Sequence, residues 1–387
     1  MTMIDFNALS KTDFLSHYWQ KKPLLIRNAL PGFTPPISAE ELAGLSLEDE
    51  VESRIVIQHS DTDYELKKGP FPESIYQELP EENWTLLVQG MDRLIPEINQ
   101  LLNEFNFIPR WRIDDIMVSY ATVGGNVGPH YDHYDVFLLQ AQGERRWQLS
   151  SQHCTPENYI EGVDLRLMKK FDVEDDYVCQ PGDILYLPPK WGHHGVGLTD
   201  DCMTFSIGYR SYQGQELWDS FGDHLSEMSA FQTIYQDPTW ADNLNPGEVT
   251  DNAVEQAQAL LTSTLQDKDL LQTWFGRFAT QLDQEASRQL PEPLSEDETP
   301  EFEDFCTALT ECDGMEKDPV CRFAYAQMAN ETLLYINGAI WDKQGAEDSF
   351  IAALCNQSEL TPSDLQTAAN QALLFDLWQL QYLVFIE

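Results

Sequence analysis

Two histidines and two aspartates lie within six positions of the stretch GPHYDHYDVF, residues 128–137. Because one residue separates His130 from Asp132, both side chains point to the same face if this stretch is a strand. The residues that follow, DVFLLQ, have the β propensity that such a strand requires. One imidazole and one carboxylate on one face make up two thirds of the facial triad that binds non-haem iron(II). His-X-Asp triplets are also common on protein surfaces, so this stretch by itself does not establish a metal site.

A second stretch, GDILYLPPKWGHHG, offers a third metal ligand further along the chain. Pro181-Gly182-Asp183 predicts a turn, ILYLPP predicts a short strand, and the two prolines end its ladder. His193 and His194 follow, so another strand of the same barrel would supply the third ligand. Three ligands leave three octahedral positions open for a chelating cosubstrate and dioxygen, whereas a structural zinc site is closed by four ligands. Residue chemistry does not decide between the two adjacent histidines.

An arginine pair in the segment GERRWQL is a candidate for binding the cosubstrate. A cosubstrate such as 2-oxoglutarate chelates iron through its keto acid, which leaves its distal carboxylate in need of a fixed cation. Arginine suits this task because its planar guanidinium binds a carboxylate in a bidentate manner. Strand alternation predicts that one of Arg145 and Arg146 points inward and the other outward. The alternative interpretation is a solvated basic pair on an edge strand.

The elements that must position these residues change in character near residue 212. Before it, short β-rich runs alternate with Gly/Pro turns, which predicts an antiparallel sandwich or barrel. Helical patterns there are confined to the edges, namely SAEELAGL, with Ser38 as N-cap, and MDRLIPEINQLLNEF. After it, apolar residues recur at helical spacing in GQELWDSFGDHLSEMSAFQTIY and in VTDNAVEQAQALLTSTLQDKDLLQTWFGRFATQL.

The last part of the chain follows the proline-bounded acidic linker PEPLSEDETPE. It contains helical patterns, a short hairpin LLYINGAIW around Asn337-Gly338, and the segment DLQTAANQALLFDLWQLQYLVF, which predicts a final helix. Helices combined with one small β-ribbon resemble a winged-helix module.

Charge and composition narrow the classes of function. The 387 residues carry a net charge of −42, which argues against direct binding of nucleic acid through a basic patch and favours cationic partners. The alternative to a cationic partner is that the acidic surface only keeps the protein soluble. Seven cysteines without a CxxC pair predict reduced thiols. With no apolar run long enough for a membrane span and no signal-peptide pattern, we expect a cytoplasmic protein that does not bind membranes.

The segments HYD, GERRW and GDILYLPPKWGHHG, in this order and spacing, resemble the JmjC-type cupin oxygenases that use iron(II) and 2-oxoglutarate. The N-terminal segment FLSHYWQKKPLLIRNAL resembles the segment that leads into the catalytic domain in the same group. The whole chain is similar to the bacterial ribosomal oxygenases. Within that family, DDIMVSYATVGGNVGPHYDHYDVF and FSIGYR most resemble the members that hydroxylate an arginine of large-subunit ribosomal protein L-sixteen. The motifs are specific in the first half of the chain, and the similarity of the second half is architectural.

This resemblance implies an α+β, multidomain fold. It implies a double-stranded β-helix (cupin/JmjC) catalytic domain over residues 1–212, with its core at about 90–210. A helical dimerisation segment over 213–283 and an acidic winged-helix-like domain over 284–387 would follow. The protein would therefore form a homodimer.

The resemblance also implies roles for individual residues. The family pattern assigns iron(II) to His130, Asp132 and His193. It assigns the distal carboxylate of 2-oxoglutarate to Arg145. The contacts to the target arginine would be Asp115, Tyr134 and Ser206. The fixed spacing from Gly182-Asp183 selects His193, so His194 would face away or support the site from behind. His133 falls off the His-X-Asp face and is expected to be structural. Ala121 stands where a small hydroxyl residue near the cosubstrate is expected.

The implied activity is hydroxylation of the β-carbon of an arginine in a basic ribosomal protein. Oxygen and 2-oxoglutarate would be consumed, and succinate and carbon dioxide released. A cationic target agrees with Asp115 and with the acidic composition. Two other interpretations stay open: a JmjC oxygenase that acts on another side chain, such as histidine, and a non-catalytic acidic binding protein with a cupin scaffold. A small-molecule cupin dioxygenase would leave the long acidic helical tail without a use.

Overall fold

The computed structural model describes residues 4–162, 165–228, 233–240, 245–295, 297–365 and 367–386. Its internal contacts divide the chain into two compact units, residues 1–211 and residues 212–387. Within the described ranges, no helix is both long enough and apolar enough to cross a membrane.

The first unit is built from antiparallel strands. Their bounds are β1 Leu24–Ile26, β2 Ser53–Ser60, β3 Asp63–Lys68, β4 Trp84–Val88, β5 Ile113–Ala121, β6 His130–Tyr131, β7 Val136–Gln142, β8 Arg145–Ser150, β9 Asp175–Cys179, β10 Ile184–Leu187, β11 Gly192–Gly197 and β12 Cys202–Tyr209. They form a large sheet in the order β1-β10-β7-β12-β5-β4-β2-β3 and a small sheet in the order β6-β11-β8-β9. The predicted antiparallel β architecture is therefore confirmed.

The two sheets face each other across the interior of this unit, as the side chains of β12 indicate. Met203, Phe205 and Ile207 alternate along β12 and pack into the main hydrophobic core on one face of the large sheet. Thr204 therefore points to the opposite face. There it accepts a hydrogen bond from Arg145 of β8, which belongs to the small sheet. Polar residues at alternating positions of the large sheet thus line the space between the sheets.

Short helices flank the sheets of the first unit: α1 Lys11–His17, α2 Ala39–Leu45, α3 Ile75–Glu78, α4 Met91–Leu94 and α5 Pro96–Leu101. As predicted, Ser38 caps α2, because its hydroxyl accepts from the N–H of Glu41 while the Glu41 carboxylate accepts from the N–H of Ser38. The predicted helix MDRLIPEINQLLNEF is interrupted after α4. Pro96 has no N–H to continue the ladder, so the chain restarts there as α5 and ends in a 3-10 turn over Leu102–Phe105.

The second unit is mainly helical: α6 Gly214–Ser226, α7 Asp251–Gln266, α8 Lys268–Thr280, α9 Gln284–Arg288, α10 Phe302–Glu311, α11 Asp348–Asn356, α12 Pro362–Leu365 and α13 Gln371–Gln379. Its strands are β13 Met315–Lys317, β14 Phe323–Gln327, β15 Thr332–Ile336, β16 Ala339–Trp341, β17 Glu359–Leu360 and β18 Leu383–Phe385. They form two small sheets, β17-β13-β18 and β14-β15-β16. The predicted hairpin is confirmed, with Asn337 (φ 50°) and Gly338 (φ 83°) turning the chain between β15 and β16.

Three helix predictions in the second unit are wrong in extent. The first pattern, residues 214–235, forms α6 only to Ser226, and its positions 229–232 lie outside the described residues. The second forms two helices, because Asp267 ends α7 and caps α8 by accepting from the N–H of Leu270. The third predicted helix, in DLQTAANQALLFDLWQLQYLVF, ends at Gln379, and the last residues of this pattern form strand β18, which pairs with β13. A short apolar run suits a strand as well as a helix, so periodicity did not distinguish them.

Candidate metal centre

The three residues predicted to bind a metal lie together in the first unit. β6 pairs with β11, and His130 is the direct register partner of His193, which places the two imidazoles side by side. Their ring centroids are 4.2 Å apart, and Asp132 Oδ2 lies 3.6 Å from His193 Nε2. One ligand atom from each side chain lies within 4.8 Å of the other two. Two imidazoles and one carboxylate can hold a divalent metal such as iron(II) and leave other coordination positions open.

Backbone carbonyls fix the orientation of both imidazoles. His130 Nδ1 lies 3.0 Å from the carbonyl oxygen of Gly128, and His193 Nδ1 lies 3.0 Å from that of Trp191. A carbonyl can only accept, so each Nδ1 carries the proton and each Nε2 keeps its lone pair for a metal. Burial, followed by the charge of His130, lowers the pKa of His193 to about 4. This side chain is therefore neutral near pH 7, as metal binding requires.

The structure separates His193 from its neighbours. His194 lies outside the three-ligand cluster, and its Nε2 is 3.2 Å from Oδ1 of the buried Asn126. His133 packs edge-on against Tyr131, with ring centroids 5.4 Å apart, and is also outside the cluster. Across the part of the chain that the structure describes, no second group of three His, Cys, Asp or Glu side chains is close enough to share a metal ion.

Arg145 is a buried cation that extends from β8 toward the large sheet. It is 3% exposed, and its Nη1 donates to the hydroxyls of Ser119 and Thr204 at 3.1 Å each, while Nη2 donates to the carbonyl of Gly195 at 3.4 Å. Its Nε has no hydrogen-bond partner, and no carboxylate among the described residues pairs with it. Burial lowers the pKa of Arg145, yet an arginine side chain stays charged in proteins. Because a buried unpaired cation is costly, this position fits an anionic ligand.

Trp147 connects this arginine to the metal cluster. The guanidinium carbon of Arg145 lies 5.0 Å from the centroid of the indole, and the indole lies 5.9 Å from the ring of His193. A Cβ at Gly195 would lie 2.4 Å from the indole, so only glycine leaves room for it. Trp147 was not among the predicted site residues. Strand alternation from Arg145 places it on the same face and could have identified it.

The hydroxyl groups near Arg145 come from residues that were not predicted. Ala121, where a small hydroxyl was expected, is buried on β5 and supplies none. Ser119 lies two residues earlier on the same face, and its register partner Thr204 on β12 supplies the second hydroxyl. Alternation from Ala121 could have found Ser119, whereas nothing local in the sequence indicates Thr204. Arg146 points outward and forms an exposed ion pair, so the predicted alternation of the arginine pair is confirmed.

Asp115 is a buried carboxylate further along β5. It is 8% exposed, and its Oδ2 accepts from Gln89 Nε2 and from the N–H of Gly90 at 2.8 Å each. Its Oδ1 has no hydrogen-bond partner within the described ranges. Burial, followed by the charges of Asp92 and Asp114, raises the pKa of Asp115 to about 7. A cation bound at Oδ1 would stabilise the ionised form, so this position suits a guanidinium.

Tyr134 and Ser206 are the other two predicted substrate contacts. Tyr134 is 42% exposed, but burial of its hydroxyl, followed by the charges of Asp132 and Asp115, raises the pKa of Tyr134 well above its ordinary value. The tyrosine is therefore electrostatically coupled both to the metal cluster and to the buried carboxylate. Ser206 is 9% exposed and lies two residues from Thr204, on the same face of β12 and in register with Met117.

Strand alternation orders these groups along the interior of the unit. Asp115 and Ser119 lie four residues apart on one face of β5, about 13 Å along the strand. Arg145 binds at Ser119, so the buried cation and the buried carboxylate lie at opposite ends of this face. Trp147 contacts both Arg145 and His193 of the metal cluster, and the charges of Asp132 and Asp115 both raise the pKa of Tyr134. The interior can therefore hold an anion at one end and a cationic side chain at the other.

Family models match both units of the chain. A JmjC domain model matches residues 100–217, and a ROXA-like winged-helix model matches residues 263–384. Together with the two facing antiparallel sheets, these matches confirm the predicted fold class of a JmjC/cupin domain followed by a winged helix. The winged-helix match begins inside residues 213–283, the segment that was predicted to be helical and to dimerise. Dimerisation stays a prediction.

Two relatives and a solved structure agree with these models. The chain is 36% identical over 291 residues to the ribosomal protein uL16 3-hydroxylase of Escherichia coli K12, which covers 74% of this chain and 75% of the relative. It is 34% identical over 371 residues to a probable ribosomal oxygenase of Haemophilus influenzae, and this match covers 92% of this chain and 89% of the relative. The structure of the Escherichia coli ribosomal oxygenase YcfD in complex with cobalt and 2-oxoglutarate matches with a TM-score of 0.83 at 29% identity, over 100% of this chain and 99% of that chain.

Proposed function

Because the chain belongs to the JmjC-domain ribosomal oxygenases, we propose that it hydroxylates the β-carbon of an arginine side chain in large-subunit ribosomal protein L-sixteen. As a member of this family, it is a 2-oxoglutarate-dependent oxygenase that uses iron(II) and acts on a ribosomal protein. The name of the Escherichia coli relative gives the ribosomal protein and the third position as the site of hydroxylation. The arginine is the target that the sequence resemblance implies, and the buried carboxylate of Asp115 supports it.

The iron(II) would be held by His130, Asp132 and His193. Their fit rests on the clustered ligand atoms and on two imidazoles that both direct an unprotonated Nε2 into the cluster. Cobalt, found in the YcfD complex, is a divalent ion that suits the same donor set. When bound, the metal and 2-oxoglutarate supply the oxidation that converts a C–H bond to C–OH, with dioxygen consumed and succinate and carbon dioxide released.

Arg145 would hold the distal carboxylate of 2-oxoglutarate. The carboxylate would pair with the unmatched buried guanidinium, while Ser119 and Thr204 keep that guanidinium in place through Nη1. The fixed orientation of Arg145 over Trp147 would direct the keto acid end toward the metal cluster. Arg145, Ser119 and Thr204 are all buried, so the distal carboxylate would be bound away from water.

Asp115, Tyr134 and Ser206 would bind the target arginine. Asp115 offers its free Oδ1 to a guanidinium, and Gln89 together with the Gly90 N–H holds the carboxylate in place through Oδ2. Burial and the charges of Asp92 and Asp114 raise the pKa of Asp115, and Arg93 offsets them only in part, so a bound cation would stabilise the ionised carboxylate. The net charge of −42 adds a longer-range attraction for a basic ribosomal protein.

One observation carries this proposal more than any other: the unit that holds the three-ligand cluster also buries an arginine that pairs with no carboxylate of the described residues, and a carboxylate on the same face of β5 as the serine that this arginine contacts. A direct test measures succinate release by the iron(II)-loaded protein with an arginine-containing fragment of ribosomal protein L-sixteen. We expect fragment-dependent turnover with wild type and none with His130→Ala. The same fragment with that arginine replaced by lysine serves as the substrate control.

Three results would count against the proposal. Equal turnover by wild type and His130→Ala would remove the metal assignment. Turnover that continues when the arginine is replaced would mean that another side chain is the target. Faster turnover with a histidine-containing ribosomal fragment would favour histidine hydroxylation instead.

We also propose that the chain forms homodimers through residues 213–283. The support comes from α7, which buries none of its residues and exposes Val254 (54%), Leu261 (47%) and Leu265 (41%) along one face. Light scattering should give a dimer mass for wild type and for the opposite-face control Gln256→Asp, and a lower mass for Leu261→Asp. A monomeric wild type, or a dimer that Leu261→Asp leaves intact at micromolar concentration, would contradict this proposal.

A further inference from the structure

We propose that Asn126 is a positioning residue that uses one buried side-chain amide to fix the two imidazoles of the metal site relative to each other. The proposal rests on the proposed roles of His130 and His193 as iron ligands. Asn126 itself touches neither of them. It lies in the loop between β5 and β6, and it is 1% exposed.

The amide of Asn126 uses all of its hydrogen-bonding capacity. The two lone pairs of its Oδ1 are shared among three donors, namely Tyr64 Oη (3.0 Å), Gly128 N (2.8 Å) and His194 Nε2 (3.2 Å). Its Nδ2 donates to Gln58 Oε1 (2.6 Å) and to Gly124 O (2.8 Å). These partners lie on four different segments of the first unit. A fully satisfied buried amide of this kind rigidifies the segments that it joins.

The first arm of the network leads to His130. Asn126 Oδ1 accepts from the N–H of Gly128, and the carbonyl of Gly128 accepts from His130 Nδ1. Gly128 has a φ of +76°, and a Cβ there would lie 2.6 Å from Leu167. The N–H and the carbonyl of Gly128 belong to adjacent peptide units, which glycine allows to rotate about its Cα, so the direction of the carbonyl depends on what holds both sides. Asn126 holds the side of the N–H, Met168 N donates to Pro129 O at 2.8 Å on the other side, and the carbonyl then sets the rotation of the imidazole.

The second arm leads to the strand that carries His193. His194 Nε2 donates to Asn126 Oδ1, and the same loop is joined to the end of β11 by two backbone hydrogen bonds of 2.9 Å, between Gly124 and Gly197 and between Gly197 and Gly125. β11 is therefore fixed to the loop at two places. Because His130 and His193 are register partners, a shift of the loop against β11 changes the separation of their Nε2 atoms.

The two imidazoles differ in how their orienting carbonyls are supported. Trp191, whose carbonyl binds His193, directly precedes β11, where Gly192 is in register with Tyr131 on one side and Ser150 on the other. Gly128 lies in a loop, where the side chain of Asn126 and one backbone hydrogen bond from Met168 N to Pro129 O take the place of such a ladder. Loss of that amide should therefore loosen His130 more than His193. Residues that orient metal ligands typically change metal affinity by about 10- to 100-fold when they are removed.

Cobalt(II) binding to the full-length chain tests the proposal without relying on turnover. Calorimetry gives the affinity, and the visible absorption of bound cobalt reports the geometry of its ligands. We expect Asn126→Ala to bind cobalt about tenfold or more weakly than wild type, with altered absorption bands. Binding within about twofold of wild type with unchanged bands would overturn the proposal.

Two matched variants separate positioning from general stability. Tyr64→Phe removes one donor to the same Oδ1 but leaves the Gly128 and His194 arms intact, so cobalt affinity should stay within about twofold. Asn370→Ala removes a comparably buried amide in the second unit, which is 2% exposed and hydrogen-bonded, and it should not change cobalt binding. If either control weakens binding as much as Asn126→Ala does, positioning by Asn126 is wrong.

A second pair of variants applies if Asn126→Ala does not fold. His194→Gln keeps an N–H donor near the position of Nε2, whereas His194→Leu removes it. Cobalt affinity should fall with leucine and be largely retained with glutamine, and equal affinities would overturn the proposal. His130→Ala tests the underlying ligand assignment separately. If it binds cobalt as tightly as wild type, or if wild type binds none, the proposed iron ligands are wrong and the positioning role fails with them.

Discussion

The two ends of the interior of the first unit bury opposite charges and satisfy them in different ways. At one end, Arg145 contacts hydroxyls, a backbone carbonyl and an indole, and none of the described carboxylates pairs with it. At the other end, Asp115 contacts an amide and a backbone N–H, with the carboxylates of Asp92 and Asp114 near it. The guanidinium at the first end pairs with no carboxylate of the described residues, and at the second end the charge of Arg93 only partly offsets burial and two carboxylates, so each end is complementary to a ligand of the opposite sign.

The difference between the two ends lies in what burial can do to each side chain. Arginine keeps its charge when it is buried, whereas aspartate takes up a proton when desolvation and neighbouring carboxylates oppose its ionisation. Binding of an anion at Arg145 should therefore be insensitive to pH in the neutral range. Binding of a cation at Asp115 should depend on pH, because the pKa of Asp115 is raised to about 7.

The largest effect is expected at the arginine end. Arg145→Met removes the buried cation, so the KM for 2-oxoglutarate should rise by about 100-fold or more, as expected for the loss of a buried ion pair. Arg146→Met is the matched control, because Arg146 is exposed and paired with Asp176, and it should change this KM by less than about twofold. Steady-state kinetics with varied 2-oxoglutarate checks both values. A normal KM in Arg145→Met would mean that the cosubstrate does not bind at this end.

A smaller and separate effect is expected at the carboxylate end. Asp115→Asn keeps the shape but removes the charge, so the KM for the arginine-containing fragment should rise by about 10- to 100-fold, while the KM for 2-oxoglutarate stays within about twofold. Asp114→Asn is the neighbouring control, since Asp114 is half exposed and paired with Arg210, and it is compared at pH 8, where Asp115 is ionised with or without the charge of Asp114. If Asp115→Asn raised both KM values equally, the two ends would not be independent, and the comparison would break down.

The pH dependence should distinguish the two ends further. Below about pH 7, Asp115 becomes protonated in the free protein, so kcat/KM for the arginine fragment should fall, by up to about tenfold per pH unit. In Asp115→Asn this fall should be absent, and cosubstrate binding, followed by calorimetry with 2-oxoglutarate, should show no matching step. A pH profile shared by wild type and Asp115→Asn would assign the titration to another group.

The smallest effect concerns stability. The pKa of Asp115 is raised in the folded protein, so its contribution favours folding below the unfolded pKa of about 4 and is lost as pH rises through about 7. Above that pH, the ionised carboxylate opposes folding. Asp115→Asn should therefore raise Tm by a few degrees at pH 8, and the gain should disappear near pH 4. Scanning calorimetry at both pH values checks this, and a lower Tm for the variant at pH 8 would contradict the burial argument.

Local patterns in the sequence located two of the clustered residues and limited the third to His193 or His194, and the resemblance to the JmjC oxygenases selected His193. A spacing of two residues places His130 and Asp132 on one side, and a turn, a strand and two prolines bring His193 to them. They were not sufficient for the surroundings of Arg145. Its contact with both Ser119 and Thr204 depends on the pairing of β5 with β12, whose residues are 85 positions apart. No local pattern encodes that register.

The same limit explains the errors in the second unit. Leu383–Phe385 reads as the end of a helix until its partner strand β13, far earlier in the chain, is known. Short strands, turn residues and helical spacing are local patterns, and they predicted an antiparallel β region followed by helices, whereas the resemblance supplied the cupin/JmjC fold itself. Hydrogen-bond networks such as that of Asn126 were not predictable, because they join segments that only the tertiary fold brings together.

The most direct test of the account is tandem mass spectrometry of the ribosomal protein L-sixteen fragment after reaction under isotopically labelled dioxygen. We expect one labelled oxygen atom on the β-carbon of a single arginine. The addition should require iron(II) and 2-oxoglutarate, and Asp115→Asn should sharply reduce it. An unmodified arginine in a reaction that consumes 2-oxoglutarate, or a label on a different residue, would contradict it.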